Sequence, residues 1–293
     1  MKNIILLIRP HQWLKNIFVF IPIFFSQKIL TKESLIEAFF IFIAFSFIAS
    51  AIYCLNDLLD IDADRQHPIK KHRPLASGKI SKLQAYGTMA ILTILAISIP
   101  IILFEDEKQI QTTGILLLYF AINIAYCIKF KHIAIIDVFI ISTGFVLRII
   151  AGGIATDIWI SHWIILLTFL LALFLAFAKR RDDVIIFNNH GIKARKNIVR
   201  YNLEFLNNAI SIIASMTMIC YIMWCVSTAV IERMGTDKLY ITAIFVLMGI
   251  LRYLQLTMVD AKSGSPTNIL YKDRFIHICI AGWIAIFYVI IYL

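Results

Sequence analysis

Asn56, Asp57, Asp60 and Asp64 fall in the run Asn56-Asp57-Leu58-Leu59-Asp60-Ile61-Asp62-Ala63-Asp64-Arg65. With about 3.6 residues per helical turn, these four oxygen-bearing side chains stack on one stripe, while Asp62 points elsewhere. Three carboxylates in register repel one another and raise one another's pKa. A hard divalent cation relieves that repulsion. Mg2+ suits such a stripe because it prefers carboxylates shared with substrate phosphates to an all-protein cage. A solvated acidic helix end is the simpler alternative, but it has no need of four oxygen ligands in register. Asn56, Asp57, Asp60 and Asp64 are therefore the candidate metal ligands, and the three aspartates are the candidate catalytic groups.

Cations stand next to these acids. The loop His67-Pro68-Ile69-Lys70-Lys71-His72-Arg73-Pro74-Leu75-Ala76-Ser77-Gly78-Lys79 is punctuated by prolines that stop a helix and stiffen the chain. A metal on one part of a polyphosphate and Lys or Arg on the rest is the expected division of labour, which makes Lys70 and Arg73 candidates for phosphate binding. The alternative for these residues is ordinary basic-loop charge. A second polar run, Lys179-Arg180-Arg181-Asp182-Asp183, ends an apolar stretch. Adjacent helical residues diverge by about 100°, so only one of Asp182 and Asp183 faces the first motif. Arg148 lies inside an apolar stretch, where it costs at least about 2.5–3.5 kcal/mol unless it faces a cavity or an anion. It is thus a binding candidate, with Asp137 as the alternative structural counter-ion. Tyr126 and Lys129 close another apolar run and can reach the same mouth, or serve as interface anchors.

The elements that position these groups follow from hydropathy. Of the 293 residues, 60% are hydrophobic and only 16% charged, and the mean hydropathy is +0.84. The excess lies in runs such as Leu35–Ala51, Ile110–Ile128, Ile158–Ala178 and Phe275–Leu293, long enough to cross about 30 Å of hydrocarbon as helix. They lack the alternation of barrel strands, so helices are expected. The fold class is all-α: a single polytopic membrane domain, 1–293, with about nine transmembrane helices near 13–29, 35–56, 82–104, 111–128, 133–153, 158–178, 208–231, 239–258 and 275–292. Lys and Arg concentrate on alternate loops. The positive-inside rule then places the N-terminus and the polar segments 57–81 and 179–207 in the cytoplasm and the C-terminus outside, in a plasma (inner) membrane.

The same rule accounts for the net charge of +10 and removes nucleic acid as a partner. No small-residue cleavage site follows Met1–Ile8, so no secretory signal is expected there. None of the five cysteines forms a Cys-x-x-Cys pair and the seven histidines show no ligand spacing, so the cysteines are structural.

Asn56-Asp57-x-x-Asp60-x-x-x-Asp64 after a membrane helix resembles the first aspartate-rich motif of the UbiA superfamily of intramembrane transferases. The resemblance spans the chain and implies a UbiA-like helical bundle. The family's second motif is of Asp-x-x-x-Asp type. Here Asp182 and Asp183 are followed by Val184, Ile185, Ile186 and Phe187, a departure from the two-motif, two-metal pattern.

Further segments resemble the decaprenyl-phosphate phosphoribosyltransferase branch. They are Arg9-Pro10-x-x-Trp13-x-Lys15-Asn16, His67-Pro68-x-Lys70-x-x-Arg73-Pro74-x-Ala76-x-Gly78, Tyr126-x-x-Lys129, Arg148 with Gly152-Gly153, Lys179-Arg180-Arg181, Arg252-Tyr253 and Pro266-Thr267…Asp273-Arg274. The resemblance implies Mg2+-dependent transfer of 5-phosphoribosyl from phosphoribosyl pyrophosphate to a polyprenyl phosphate in the bilayer, with release of pyrophosphate. Lys15, Asn16, Lys70, Arg73, Tyr126, Lys129, Arg148, Lys179, Arg180, Arg181 and Asp182 would be the substrate-binding residues, serving cell-envelope biosynthesis. The donor is anionic at both ends, which fits one acid motif and a surplus of cations. A homo-oligomer is compatible with the chain.

Two rivals remain. A UbiA-type aromatic prenyltransferase would use a prenyl diphosphate, and phosphoribosyl pyrophosphate would be inert. A transporter would carry its ionisable groups near the bilayer midplane in both halves, whereas here the acids gather at one edge.

Overall fold

The computed structural model describes residues 2–26, 28–66, 70–191, 196–260, 269 and 272–292. Among them every regular element is a helix. Eight are long and apolar enough to cross a bilayer: Lys32–Leu59, Lys82–Leu103, Asp106–Ile128, Ile136–Ala155, His162–Asn189, Leu203–Val226, Lys238–Met258 and Arg274–Ile291. A bent pair, Lys2–Ile8 followed by Pro10–Phe25 with a 43° bend, is long and apolar enough when its two parts are taken together.

That first span corrects the expected helix at 13–29. The chain begins as α1 (Lys2–Ile8), breaks at Arg9, continues as a 3-10 helix over Pro10–Phe20 and ends in α2 (Ile21–Phe25). Pro10 disfavours the right-handed helical region for the residue before it, and Arg9 adopts the left-handed region at φ 52°. A second correction concerns the sixth span. It does not end near 178 but runs on as a helix to His190, stopped by Gly191 at φ 67°, because nothing between Lys179 and His190 breaks a helix.

The chain divides into two compact units. The first contains Met1–Lys131 and Thr143–Ile160. Its centre is α3 (Lys32–Leu59), which packs against the 3-10 segment, α5 (Lys82–Leu103) and α6 (Asp106–Ile128). Ala38, Ala44, Ser46, Ala49, Ser50 and Ala51 are all buried on α3. Lipid tails are as apolar as the helices, so small residues that let backbones approach drive the association. The later part of α7 (Ile136–Ala155) belongs to this unit. There a Cβ added to Gly152 would run into the Val19 carbonyl oxygen, so only glycine permits the approach. Between α3 and α5 lie α4 (Ile61–Gln66) and a 3-10 turn, Lys70–His72.

The second unit contains His132–Ser142 and Ser161–Leu293. Here α8 (His162–His190) packs on α9 (Leu203–Val226), and α11 (Ala243–Met258) packs on α9 and on α12 (Arg274–Tyr292). The short α10 (Thr228–Met234) follows α9. The Tyr221 hydroxyl lies 2.6 Å from Thr242 Oγ1, and Trp283 Nε1 donates to it at 2.6 Å. Polar groups inside a membrane protein must be satisfied internally, and this chain of bonds does so while tying three elements. All five cysteines are free.

Candidate active site

The last turn of α3 carries Asn56 and Asp57. Asp60 caps it, and α4 resumes at once with the Asp64 amide donating to the Asp60 carbonyl at 2.8 Å. The helix is thus interrupted for only one residue, and the stripe survives. Arg73 Nη1 demonstrates the register, lying 3.1 Å from Asp57 Oδ1 and 2.6 Å from Asp64 Oδ2. Lys131 Nζ spans the other pair, 2.6 Å from Asp60 Oδ1 and 3.3 Å from Asn56 Oδ1. Asp62 points away, with its side chain 93% exposed. Asp57 and Asp64, by contrast, are buried.

Three separate connections deliver the cations. Arg9, at the break in the first span, donates from Nη2 to Asp57 Oδ1 and lies 5.1 Å from the Tyr53 ring centroid. Arg73 follows the 3-10 turn Lys70–His72. Its loop is anchored by Leu75 and Ile80, which are buried with Leu7, Cys54, Ile61 and Ala85, so an apolar plug sets the position of the guanidinium. Lys131 sits in the 3-10 turn Phe130–His132 beyond α6. Of these three, sequence reasoning named only Arg73. Arg9 stands in the segment Arg9-Pro10-x-x-Trp13, whose spacing gives it no role. Lys131 lies two positions past Lys129, where helical periodicity has ended and spacing no longer predicts direction. Lys129 itself is exposed at the end of α6, and Tyr126 and Lys70 are half-buried.

Asn16 and Arg148 are brought to each other rather than to the stripe. Arg148 Nε donates to Asn16 Oδ1 at 2.7 Å, Nη1 to the Gly144 carbonyl at 2.6 Å and Nη2 to the Tyr119 hydroxyl at 2.9 Å. Asn16 also donates to Ser46 Oγ at 3.0 Å. The guanidinium is flanked by the rings of Phe45, Tyr119 and Phe145 at 5.6, 4.9 and 5.2 Å. Ser46 precedes Asp57 on α3 by about 16 Å of helix. Lys15, beside Asn16, is exposed.

In the second unit, Asp137 is the counter-ion of Arg180, not of Arg148. Arg180 Nε lies 2.7 Å from Asp137 Oδ2, and both side chains are almost fully buried. Arg180 Nη1 also reaches Asp183 Oδ2 at 3.2 Å. The Tyr201 hydroxyl donates to Asp137 Oδ1 at 3.0 Å and accepts the Ile135 amide at 2.6 Å. Burial pushes the Tyr201 phenol up to about 12, so it remains a donor at neutral pH. Arg181 donates to Asn207 Oδ1 at 2.8 Å and to the Thr257 carbonyl at 2.5 Å, which satisfies the C-terminal end of α11. Arg180 and Arg181 are thus committed to protein partners, Lys179 is exposed and Asp182 is buried. His67, Pro68, Pro266 and Thr267 lie outside the described residues.

Among the described residues no group of three or more His, Cys, Asp or Glu side chains is disposed as a metal cage. The physical reason is on the stripe itself, where one oxygen of each aspartate is turned to Arg9, Arg73 or Lys131. Asp57 Oδ2 is buried and has no hydrogen-bond partner among the described residues, a condition that costs about 1–3 kcal/mol for a polar atom. A hard cation would satisfy it, and the donor set, three carboxylates and an amide oxygen, has the chemistry of a Mg2+ site.

The sequence profile of the UbiA prenyltransferase family matches residues 19–279. The chain is 30% identical over 280 residues to a decaprenyl-phosphate phosphoribosyltransferase of Corynebacterium glutamicum, covering 94% of this chain and 83% of that one. It is also 30% identical over 298 residues to the protein of that name in Mycolicibacterium smegmatis, covering 97% and 90%. A solved UbiA homolog from Archaeoglobus fulgidus bound to GPP and Mg2+ superposes with a TM-score of 0.71 at 20% identity, covering 99% of this chain and 100% of that one.

Proposed function

We propose, from the premise that this chain belongs to the UbiA prenyltransferase family, that it is a Mg2+-dependent polyprenyl-phosphate phosphoribosyltransferase. It moves 5-phosphoribosyl from phosphoribosyl pyrophosphate to a polyprenyl phosphate in the bilayer and releases pyrophosphate. The names of the relatives support the reaction. The observation that carries it is the convergence of Arg9, Arg73 and Lys131 on the stripe Asn56, Asp57, Asp60 and Asp64. Because the family match and the relatives run across both units, we read 1–293 as one transferase domain.

In this reading Asp57, Asp60 and Asp64 would hold the metal, with Asn56 orienting it or the first ligand, and the bound metal would neutralise charge on the diphosphate. Arg9, Arg73 and Lys131 bind diphosphate oxygens and stabilise the negative charge that grows on the leaving group. Bond breaking at the ribose C1 gives it oxocarbenium character, and the acceptor phosphate attacks from the opposite face. A phosphate monoester has its second pKa near about 6, so the acceptor is largely dianionic near neutral pH and needs no strong general base. The Lys and Arg asymmetry of the loops supports a cytoplasmic position for the stripe and the N-terminus.

The experiment is conversion of radiolabelled phosphoribosyl pyrophosphate and polyprenyl phosphate by purified protein, with mass-spectrometric identification of the lipid product. Asp57→Asn and Asp60→Asn are each expected to lose at least about a hundredfold in kcat/KM. Near wild-type turnover in both would remove the metal assignment. Product only from a prenyl diphosphate and an aromatic acid would replace the reaction by aromatic prenyl transfer.

A further inference from the structure

Three observations concern the acid stripe. The first is charge. Asp57, Asp60 and Asp64 are answered by Arg9, Arg73 and Lys131, so the formal charges cancel. The second is asymmetry. Both Arg9 and Arg73 crowd Oδ1 of Asp57, while Oδ2 of the same buried carboxylate has no partner among the described residues. The third is the place of attachment. Arg9 sits at a helix break and Lys131 in a 3-10 turn, so either side chain can leave its acid without unwinding a membrane helix.

A neutral stripe attracts a bare divalent ion weakly. Such an ion would also have to displace charge-assisted hydrogen bonds and leave the displaced cations without acceptors. A diphosphate removes that penalty because its oxygens accept from the released cations. We propose that Arg9 and Lys131 are exchangeable counter-ions. They hold Asp57 and Asp60 while no diphosphate is bound, and release them to the metal when a diphosphate arrives, so that metal and diphosphate bind as one unit. This deepens the reading above in that it takes the stripe to be the metal–diphosphate site, but it does not depend on the sugar. Arg9 and Lys131 thus serve the acids first and the diphosphate afterwards, and the coupling they create is reciprocal. Whatever factor diphosphate adds to metal affinity, metal adds to diphosphate affinity.

The test is equilibrium Mn2+ binding to the purified full chain, followed by electron paramagnetic resonance at fixed free Mn2+ and without acceptor lipid. Mn2+ is added alone, with inorganic pyrophosphate, or with phosphoribosyl pyrophosphate. The wild-type protein is expected to bind Mn2+ at least about tenfold more tightly with pyrophosphate than without it, within the usual range of coupling between sites. Arg9→Gln and Lys131→Gln are each expected to bind Mn2+ alone about three- to tenfold more tightly than wild type, with correspondingly weaker coupling. Arg9→Lys, which keeps the charge, should return toward wild type. Thermal unfolding in detergent checks each fold, and Lys131→Gln carries the test alone if Arg9→Gln does not fold. Equal wild-type affinity with and without pyrophosphate, or variants that bind Mn2+ alone no more tightly than wild type, overturns the proposal. Coupling with pyrophosphate but none with phosphoribosyl pyrophosphate leaves the counter-ion exchange standing and overturns the donor assignment instead.

Discussion

Lys131 Nζ lies 2.6 Å from Asp60 Oδ1 across 71 positions of sequence. The nearby Lys129 leaves its side chain exposed at the end of α6. Replacing Lys131 by Gln is expected to lower kcat/KM for phosphoribosyl pyrophosphate by more than about tenfold, whereas Lys129→Gln should cost less than about threefold. Steady-state kinetics on the two variants decides it. Equal losses would put both lysines on the donor and deny Lys131 its special place.

Asp62 and Asp64 are two residues apart and face opposite surroundings. Asp64 is buried on Arg73, and Asp62 is in solvent. Asp64→Asn should lower turnover at least about tenfold and weaken Mg2+ activation, while Asp62→Asn should stay within about twofold of wild type. Mg2+ titrations of activity provide the measurement.

Much of this arrangement was legible in the sequence because one periodicity governs it. Hydropathy located eight spans to within a few residues at most of their ends, and helical spacing put Asp57 and Asp64 on one stripe with Asp62 off it. The failures occur where that periodicity ends. Pro10 forces a break that apolar composition does not register, and Lys131 lies in a 3-10 turn whose direction no helical wheel gives. Hydropathy ends the sixth span near Ala178 because the run Lys179–Asp183 is charged. The helix continues because Lys and Arg are good helix formers and nothing before Gly191 stops it. Partners far away in sequence, such as Tyr201 for Asp137, have no local signal at all.

Arg148 is held by a fork that reaches three acceptors on three elements. A lysine keeps the buried charge and loses that geometry, so Arg148→Lys is not a mild change. It should lower stability by about 2–4 kcal/mol, combining lost charge-assisted bonds with a cation less tolerant of burial. Thermal unfolding in detergent measures the loss, and an unchanged midpoint would show that the fork carries no structural weight.

Removing Arg180 strands the Asp137 carboxylate among buried groups. Arg180→Met is expected to destabilise by about 3–5 kcal/mol, and the double variant Asp137→Asn with Arg180→Met to recover a large part of that. Unfolding of the single and double variants closes the cycle. A double variant no more stable than Arg180→Met would mean that the pair is not the source of the loss.

Tyr201 supplies a pH dependence with a definite sign. An unfolded phenol loses its proton near about 10, whereas burial holds the folded one to about 12. Between those values the folded state binds the extra proton, so stability is intact below about pH 10 and falls as pH rises toward about 12. Tyr201→Phe should abolish that part of the alkaline slope, read from unfolding midpoints in a pH series. A slope identical to wild type would assign the alkaline loss to other groups.

Arg9 occupies left-handed backbone space that glycine fills at no steric penalty. A glycine there would relax the main chain but would leave Asp57 with one fewer guanidinium. Local comfort and the charge on that aspartate therefore pull this position toward different amino acids. An engineering screen ranked only on thermal resistance would be drawn to replace the very side chain that readies the stripe for its ligand.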